Sequence, residues 1–194
     1  MAEVPSTFHL KPGQSAPEFT LPDGEGNPVS YSSLIEGRKG LVIAFVCNHC
    51  PFVVHLAGQL GKVATEFAEQ NVGFVAISSN DVENYPADSP ENMVQFGKLS
   101  GWSFPYLYDE SQEVAKAYSA ACTPDFYLFD SDGKLTYAGQ FDDTRPSRGA
   151  PPTGADLRRA VENMLNGQAA PEPWYPSSGC NIKWKPGLEP SYFG

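Results

Sequence analysis

The chain has 194 residues, of which 41% are apolar, and this is enough for one domain with a sizeable core. Its net charge of −10 argues against binding to nucleic acid or to an anionic membrane surface, because both attract basic proteins. Residues 1–14 lack the basic start and apolar run of a signal peptide, and the longest apolar stretch, 41–47, is too short to cross a bilayer. We therefore expect a cytoplasmic protein.

The first third of the chain alternates short extended segments with helical ones. Residues 16–23 and 28–31 predict two short strands separated by a turn, and 32–36 predicts one helical turn. The continuous apolar run Leu41–Val46 is typical of a strand buried on both faces. A helix is predicted over 52–70, since its apolar residues recur every three or four positions.

The rest of the chain continues this alternation and ends in a tail. We predict strands, helices and a hairpin in the following order: strand 72–78, helix 90–99 with Ser89 as N-cap, strand 104–108, helix 111–118, strand 125–130, turn 131–133, strand 134–140 and helix 154–166. Right-handed crossovers make the first strands parallel, and the hairpin adds an antiparallel edge. The sequence thus predicts an α/β fold with a mixed central sheet flanked by helices. Residues 1–168 would form this domain, with an N-terminal extension, and the Pro- and Gly-rich residues 169–194 an extended tail packed on it.

Cys47 and Cys50 lie on the predicted turn between the buried strand and the helix. A zinc site normally needs a second ligand pair, and haem attachment needs a His where Pro51 stands. Two structural thiols remain an alternative. A redox pair is favoured, because a helix N-terminus stabilises a thiolate and cytosolic disulfides are mostly transient and catalytic. We expect Cys47 to be exposed and Cys50 to be more buried.

Thr123-Pro124 precedes a predicted strand. Such a proline commonly ends a loop, but in a redox fold it can be a cis proline that leaves the preceding backbone open for pairing with an extended substrate. Together with Ala16–Leu21, Asp23 and the Cys-x-x-Cys after a buried strand, this dipeptide resembles the redoxin branch of the thioredoxin superfamily. That branch includes the alkyl hydroperoxide reductase/thiol-specific antioxidant group, and the resemblance spans about 12–167.

The resemblance implies a thioredoxin-like fold and assigns roles to residues. Cys47 would be the attacking thiolate and Cys50 the resolving thiol, with Pro124 as the cis proline and Thr123 and Pro51 as supporting residues. Two departures matter. Ala44 stands where peroxiredoxins carry a Thr or Ser that orients peroxide. Leu41 replaces the buried Asp that accepts a proton in thioredoxin, so either water, His49 or His55 would take that role, or Cys50 would be slow to act.

The other cysteines and the histidines have weaker assignments. His49, inside the motif, is expected to stabilise the Cys47 thiolate when protonated, whereas His55 is favoured as a helix-face residue over a catalyst. Cys122 is equally well interpreted as an exchanging thiol near the pair or as a buried inert one. For Cys180 we favour a packed tail residue over a mobile resolving or intermolecular thiol, and a tail lying over the active site is the weaker hypothesis.

These assignments predict an oxidoreductase that uses Cys47 and Cys50 on protein disulfides and is reset by a thioredoxin-like protein or a reductase. It would need no metal or organic cofactor and would have an antioxidant role; the oligomeric state is left open. One alternative is a thiol peroxidase, in which Cys47 becomes a sulfenic acid and Cys50 resolves it. Another is a copper- or zinc-binding chaperone of the same fold that uses Cys47, Cys50 and a histidine.

Overall fold

The computed structural model describes residues 3–193, so Met1, Ala2 and Gly194, at the outer ends of the predicted extension and tail, lie outside the described residues. It contains ten strands, namely β1 Glu3–Pro5, β2 Thr20–Pro22, β3 Pro28–Ser30, β4 Gly40–Phe45, β5 Val72–Ser78, β6 Tyr106–Tyr108, β7 Cys122–Thr123, β8 Asp125–Asp130, β9 Leu135–Gly139 and β10 Ser178–Asn181. The α-helices are α1 Tyr31–Ile35, α2 Pro51–Ala68, α3 Pro90–Leu99, α4 Glu113–Tyr118 and α5 Ala155–Leu165. No described helix has the length and apolar character needed to span a membrane.

The central sheet has five strands in the order β6-β5-β4-β8-β9. β4 runs parallel to β5, and β5 parallel to β6, whereas β8 and β9 add antiparallel strands on the other side of β4. The predicted mixed sheet, with parallel first strands and an antiparallel hairpin, is therefore confirmed. Every residue of β4 is buried, as its continuous apolar run predicted.

Helices cover both faces of this sheet and bury one hydrophobic core on each. Side chains of α2, α3 and α5, including Leu60, Met93 and Leu157, pack in one core. Side chains of α1 and α4, including Leu34 and Tyr118, pack in the other. The alternation of side chains along β4 sends Val42 to the first core and Ile43 to the second, so the central strand joins the two layers.

Most predicted boundaries hold within two residues, and the differences have local causes. Ser89 caps α3 by accepting a hydrogen bond from the Asn92 N–H at 3.5 Å, with Pro90 in the first helical position, as predicted. The strand predicted from 104 begins only at Tyr106. Pro105 has no N–H for the ladder, and its carbonyl accepts from Ala76 instead.

A second small sheet was not predicted. It has the order β1-β10-β7 and consists of the N-terminal segment, one strand of the tail and the dipeptide before Pro124. In antiparallel register Cys180 lies opposite Thr123 on one side and opposite Glu3 on the other. The prediction of a tail that is merely extended is thus incomplete: part of it forms a strand, and that strand pairs beside the predicted redox motif.

Candidate active site

Cys47 and Cys50 lie where the central strand meets the start of α2. Phe45 ends β4, Cys50 occupies the N-cap of α2, and Pro51 is the first helical residue, a position that suits proline. All four cysteines are free thiols. The predicted exposure of Cys47 is wrong: Cys47 is 1% exposed and Cys50 0%. The reason is tertiary, because both belong to the core cluster that also contains Cys180 of the tail.

Thr123 contacts both sulfur atoms. The Thr123–Pro124 peptide bond is cis, as the resemblance implied. The Thr123 hydroxyl lies 3.4 Å from Cys47 Sγ, and the Thr123 carbonyl oxygen lies 3.2 Å from Cys50 Sγ. The backbone edge of Thr123, which we expected to be open for an extended substrate, is instead paired with Cys180 of β10.

A buried carboxylate, Asp88, organises the loop between the two cysteines. Its oxygens accept hydrogen bonds from the backbone N–H groups of Asn48 at 2.8 Å and His49 at 3.3 Å, and from the Asn80 side chain at 2.8 Å. His49 Nδ1 lies 2.7 Å from Asp88 Oδ2, and the imidazole stacks on Tyr85 with ring centroids 5.9 Å apart. His49 therefore pairs with a carboxylate, and its ring lies within 4.8 Å of the Cys47 sulfur, so its predicted stabilisation of the Cys47 thiolate stays a prediction. No sequence motif marks Asp88, which lies 38 residues beyond Cys50 in a short 3-10 helix.

The two sulfurs of the motif have opposite acid–base behaviour. The hydrogen bond from the Cys47 thiol lowers the pKa of Cys50 to about 5 against the opposing effect of burial, and donors on Cys180 and the Val53 N–H contribute. The same hydrogen bond, burial and the negative charge of Asp88 raise the pKa of Cys47 well above its ordinary value, with the Thr123 hydroxyl opposing them. At neutral pH the pair therefore holds one proton and one negative charge, which the two sulfurs share as a coupled unit.

Cys180 is the third thiol at this site. It is 3% exposed, and both its thiol and its backbone N–H face Cys50 Sγ. Burial and the neighbouring Cys50 sulfur raise the pKa of Cys180 to about 12, so it is a protonated donor at neutral pH. The favoured interpretation of Cys180 as only a packed tail residue missed this contact, because nothing in the local sequence places the tail beside the motif.

The remaining sequence-predicted residues lie further from the sulfurs. Cys122 is completely buried, its Sγ is 3.7 Å from the Pro124 carbonyl oxygen, and burial raises its pKa well above the ordinary value. His55 lies one turn into α2, and its Nε2 is 3.0 Å from the Thr144 hydroxyl in the loop after β9. These contacts agree with a buried thiol and a helix-face histidine.

A second buried carboxyl lies directly after the cis proline. Asp125 is 1% exposed, and the Tyr127 hydroxyl donates to its Oδ2 at 3.0 Å. Burial raises the pKa of Asp125 to about 7, with donors that include Ser177 opposing. The negative charge of Asp125 helps to raise the pKa of Cys122, which lies three residues before it.

One group of side chains has the composition of a metal site. Ligand atoms of Cys47, His49 and Asp88 all lie within 4.8 Å of one another. A thiolate, an imidazole and a carboxylate are ligands that zinc accepts. This group differs from the set in the metal-binding alternative, Cys47, Cys50 and a histidine, by having Asp88 in place of Cys50.

Comparison with known proteins identifies the family. Residues 12–138 match the model of the AhpC/TSA family. The chain belongs to this family. A Mycobacterium tuberculosis protein named as a peroxiredoxin is 31% identical over 144 residues, which cover 68% of this chain and 86% of that protein. The thiol-disulfide oxidoreductase ResA of Halalkalibacterium halodurans is 31% identical over 124 residues, covering 63% of this chain and 65% of ResA.

Solved structures confirm the fold. The crystal structure of an uncharacterized conserved protein from Geobacillus kaustophilus matches with a TM-score of 0.92 and 50% identity, covering 97% of this chain and 99% of that one. A thioredoxin-family thiol:disulfide interchange protein from Chlorobium tepidum matches with a TM-score of 0.60 at 20% identity, over 79% of this chain and 97% of that one, and this likeness shows the fold alone. The predicted thioredoxin-like fold and redoxin relationship are confirmed, and the chain is a thiol-based oxidoreductase.

Proposed function

We propose that this protein is a thiol–disulfide oxidoreductase that reduces disulfide bonds of other proteins through Cys47 and Cys50. The observation that carries the proposal is the contact of both sulfurs with Thr123 at the cis proline, since the Thr123 hydroxyl can donate to a Cys47 thiolate while the Thr123 carbonyl accepts from the Cys50 thiol. The motif at a helix N-terminus and the likeness to ResA support it. Ala44, which offers no hydroxyl to a peroxide, argues against the rival chemistry.

The resting and the reactive pair differ by the position of one proton. The raised pKa of Cys47 and the lowered pKa of Cys50 favour the proton on Cys47, whereas the contact of Cys50 Sγ with the Thr123 carbonyl oxygen fits a protonated Cys50. Transfer of the proton along the Cys47–Cys50 hydrogen bond makes Cys47 the thiolate. In that state the Thr123 hydroxyl donates to Cys47, and the Cys50 thiol donates to the Thr123 carbonyl. Thr123 thus stabilises the form that attacks.

The reaction is then ordinary thiol–disulfide exchange. Cys47 Sγ forms a bond to one sulfur of the substrate disulfide, whose S–S bond breaks and whose other sulfur leaves as a thiolate. Cys50 loses its proton to that leaving group and attacks Cys47 Sγ, which releases the second substrate sulfur as a thiolate. The protein ends with a Cys47–Cys50 disulfide and the substrate with two reduced sulfurs, so two electrons have moved. A thioredoxin-like protein or a reductase would restore the dithiol.

Substrate access is restricted in this arrangement. Because β10 pairs with Thr123, a substrate strand cannot use that edge while β10 is in place. The open side of the motif is the loop itself, where Asn48 and His49 are only partly buried. We propose that the substrate disulfide approaches over this loop or displaces β10.

The experiment is stopped-flow loss of thiols from the fully reduced protein, mixed with a disulfide-bonded protein or with hydrogen peroxide. Fast reaction with the disulfide and slow reaction with peroxide, both abolished in Cys47→Ser, is the expected result. Cys122→Ser is the matched control, because this buried thiol contacts neither sulfur of the pair through its side chain, and it should react like the wild type. A much faster reaction with peroxide would overturn the proposal.

A thiol peroxidase is the second candidate, and a specific contact favours it. The Thr123 hydroxyl, 3.4 Å from Cys47 Sγ, supplies from another strand the group that Ala44 lacks. Cys47 would attack the peroxide, break its O–O bond and become a sulfenic acid, and Cys50 would displace water to close the disulfide. If this is the activity, Thr123→Val should lower the peroxide rate more than the disulfide rate, because the hydroxyl would orient the peroxide in addition to stabilising the Cys47 thiolate that both reactions use.

Metal binding is the third candidate and rests on the group of Cys47, His49 and Asp88. Metal analysis of protein purified without chelator tests it. Copper or zinc near one equivalent, lost in both Cys47→Ser and Asp88→Asn, would favour a carrier over a redox enzyme. The cytoplasmic location and the separation into residues 1–168 and a tail stay predictions.

A further inference from the structure

The tail strand β10 occupies the position that a substrate strand takes in the predicted mechanism. It runs antiparallel to β7, with Cys180 opposite Thr123 and Asn181 opposite Cys122. The approach is close: Gly179 has no room for a side chain, since a Cβ there would lie 2.0 Å from the Thr123 carbonyl oxygen. On its other edge β10 pairs with β1, so it is held from both sides.

This strand brings a thiol to the redox pair. The Cys180 thiol and N–H both face Cys50 Sγ, and Cys180 lies opposite the residue whose carbonyl is 3.2 Å from the same sulfur. Cys47, Cys50 and Cys180 share one buried cluster. Cys122 has a different environment, because its sulfur faces the Pro124 carbonyl. Cys50 thus has two thiol neighbours, Cys47 and Cys180, and Cys122 serves as an internal control.

We propose that Cys180 is a third redox thiol, which takes over the disulfide from the Cys47–Cys50 pair and forms a Cys50–Cys180 bond. This inference rests on the proposed function, because that reaction produces the Cys47–Cys50 disulfide. The Cys180 sulfur attacks Cys50 Sγ, the Cys47–Cys50 bond breaks, and Cys47 leaves as a thiolate. The proton of the Cys180 thiol passes to Cys47. One disulfide replaces another, so the step needs no oxidant or reductant.

The step has a physical consequence for the cycle. It frees Cys47 while the protein is still oxidised, and it fixes β10 covalently to the start of α2. A reducing partner would then act on a disulfide that includes the tail. The charge of Lys183, three residues beyond Cys180, favours the thiolate that the attack requires.

The test uses the full-length chain with Cys47→Ser, which leaves Cys50 and Cys180 as the facing thiols. The reduced variant is treated with diamide, which removes two electrons and two protons from a thiol pair, and is then blocked with N-ethylmaleimide and digested with trypsin. Cleavage separates the cysteines into peptides 40–62, 117–134 and 160–183. We expect loss of two thiols per molecule and a linked pair of peptides 40–62 and 160–183. The link should persist with Cys122→Ser added and disappear with Cys180→Ser added.

Several outcomes would overturn the proposal. The Cys47→Ser variant could keep all its thiols, link peptide 40–62 to peptide 117–134, or form only intermolecular dimers, and each of these results would contradict a Cys50–Cys180 bond. Circular dichroism checks that Cys47→Ser is folded, and Cys47→Ala is the second variant if it is not. The wild-type protein distinguishes failure of the proposed function from failure of this inference. If the proposed function fails, protein disulfides do not oxidise Cys47 and Cys50 of the wild type. If only the further inference fails, the wild type still forms the Cys47–Cys50 disulfide but never the link to 160–183.

Discussion

Gly179→Ala tests the position of β10 over the redox pair. The new Cβ would lie 2.0 Å from the Thr123 carbonyl oxygen and 2.8 Å from its carbonyl carbon. Both are backbone atoms, so no side-chain rotation can relieve the contact. The first distance is about 1.4 Å shorter than an ordinary van der Waals contact, and β10 must move away from β7 by about this amount. Hydrogen bonds near 2.9 Å do not survive such a shift.

The size of the effect follows from the cost of overpacking. An added methyl group that forces backbone shifts in a packed region costs about 1–3 kcal/mol. We therefore expect the free energy of unfolding to fall by this amount, and the local opening of β10 to become about 5- to 150-fold more frequent. Because Cys50 is covered in the closed state, its alkylation rate should rise by the same factor.

Urea unfolding and the rate of iodoacetamide labelling of Cys50, followed by mass spectrometry, measure the two effects. Gly58→Ala is the matched control: residue 58 is exposed within α2, and a Cβ there meets nothing within 4 Å. This control should gain about 0.5–1 kcal/mol, as alanine does over glycine in a helix, with unchanged labelling. If Gly179→Ala is as stable as the wild type and its Cys50 is equally protected, then β10 does not cover the pair as described.

Three further predictions concern charge. Burial raises the pKa of Asp125 to about 7 from 3.8, so between these pH values the folded state binds more protons than the unfolded state. The protonated Asp125 therefore stabilises the fold fully below pH 3.8, and this contribution is lost as the pH rises through about 7. The total loss is on the order of 4 kcal/mol. Asp125→Asn should therefore flatten the decline in urea-measured stability from pH 4 to 8, and an unchanged decline would refute this origin. The Cys47 thiol is the chief cause that lowers the pKa of Cys50 to about 5, so thiolate absorbance at 240 nm should first rise near pH 5. Cys47→Ala should move this rise to higher pH. A first midpoint near pH 8–9 in the wild type would contradict the lowered pKa of Cys50. Asp88→Asn removes a negative charge that raises the pKa of Cys47, so the second midpoint of the 240 nm titration, which belongs to Cys47, should fall. The lost acceptor should also destabilise the fold by about 1–3 kcal/mol. A second midpoint that does not move would show that the charge of Asp88 has no effect on Cys47.

The sequence alone determined the elements that depend on local patterns. The apolar run of β4 indicates a strand buried on both faces, and the three- and four-residue spacing in α2 indicates a helix with one buried face. Between them, the sequence places Cys47 and Cys50 at the start of the helix, although the predicted helix begins at 52 and the observed one at Pro51, with Cys50 as its N-cap. The resemblance carried by Thr123-Pro124 then placed a second loop at this point.

Other features of the site depend on residues that are distant in the sequence. Asp88 reaches the loop between the cysteines only because β5 pairs with β4 and the chain returns over their ends. β10 consists of four residues, Ser-Gly-Cys-Asn, with no alternating pattern, and its strand conformation depends on β1 and β7.

The third thiol, that of Cys180, reaches the site through this pairing, whereas the lowered pKa of Cys50 depends chiefly on the neighbouring Cys47 thiol. Local propensity specifies a strand or a helix, whereas the charge state of a buried thiol depends on every donor and carboxylate that folding brings within a few ångströms. The sequence therefore determined the redox motif and its fold. Only the tertiary structure decided the acid–base behaviour of the two sulfurs and which segment covers them.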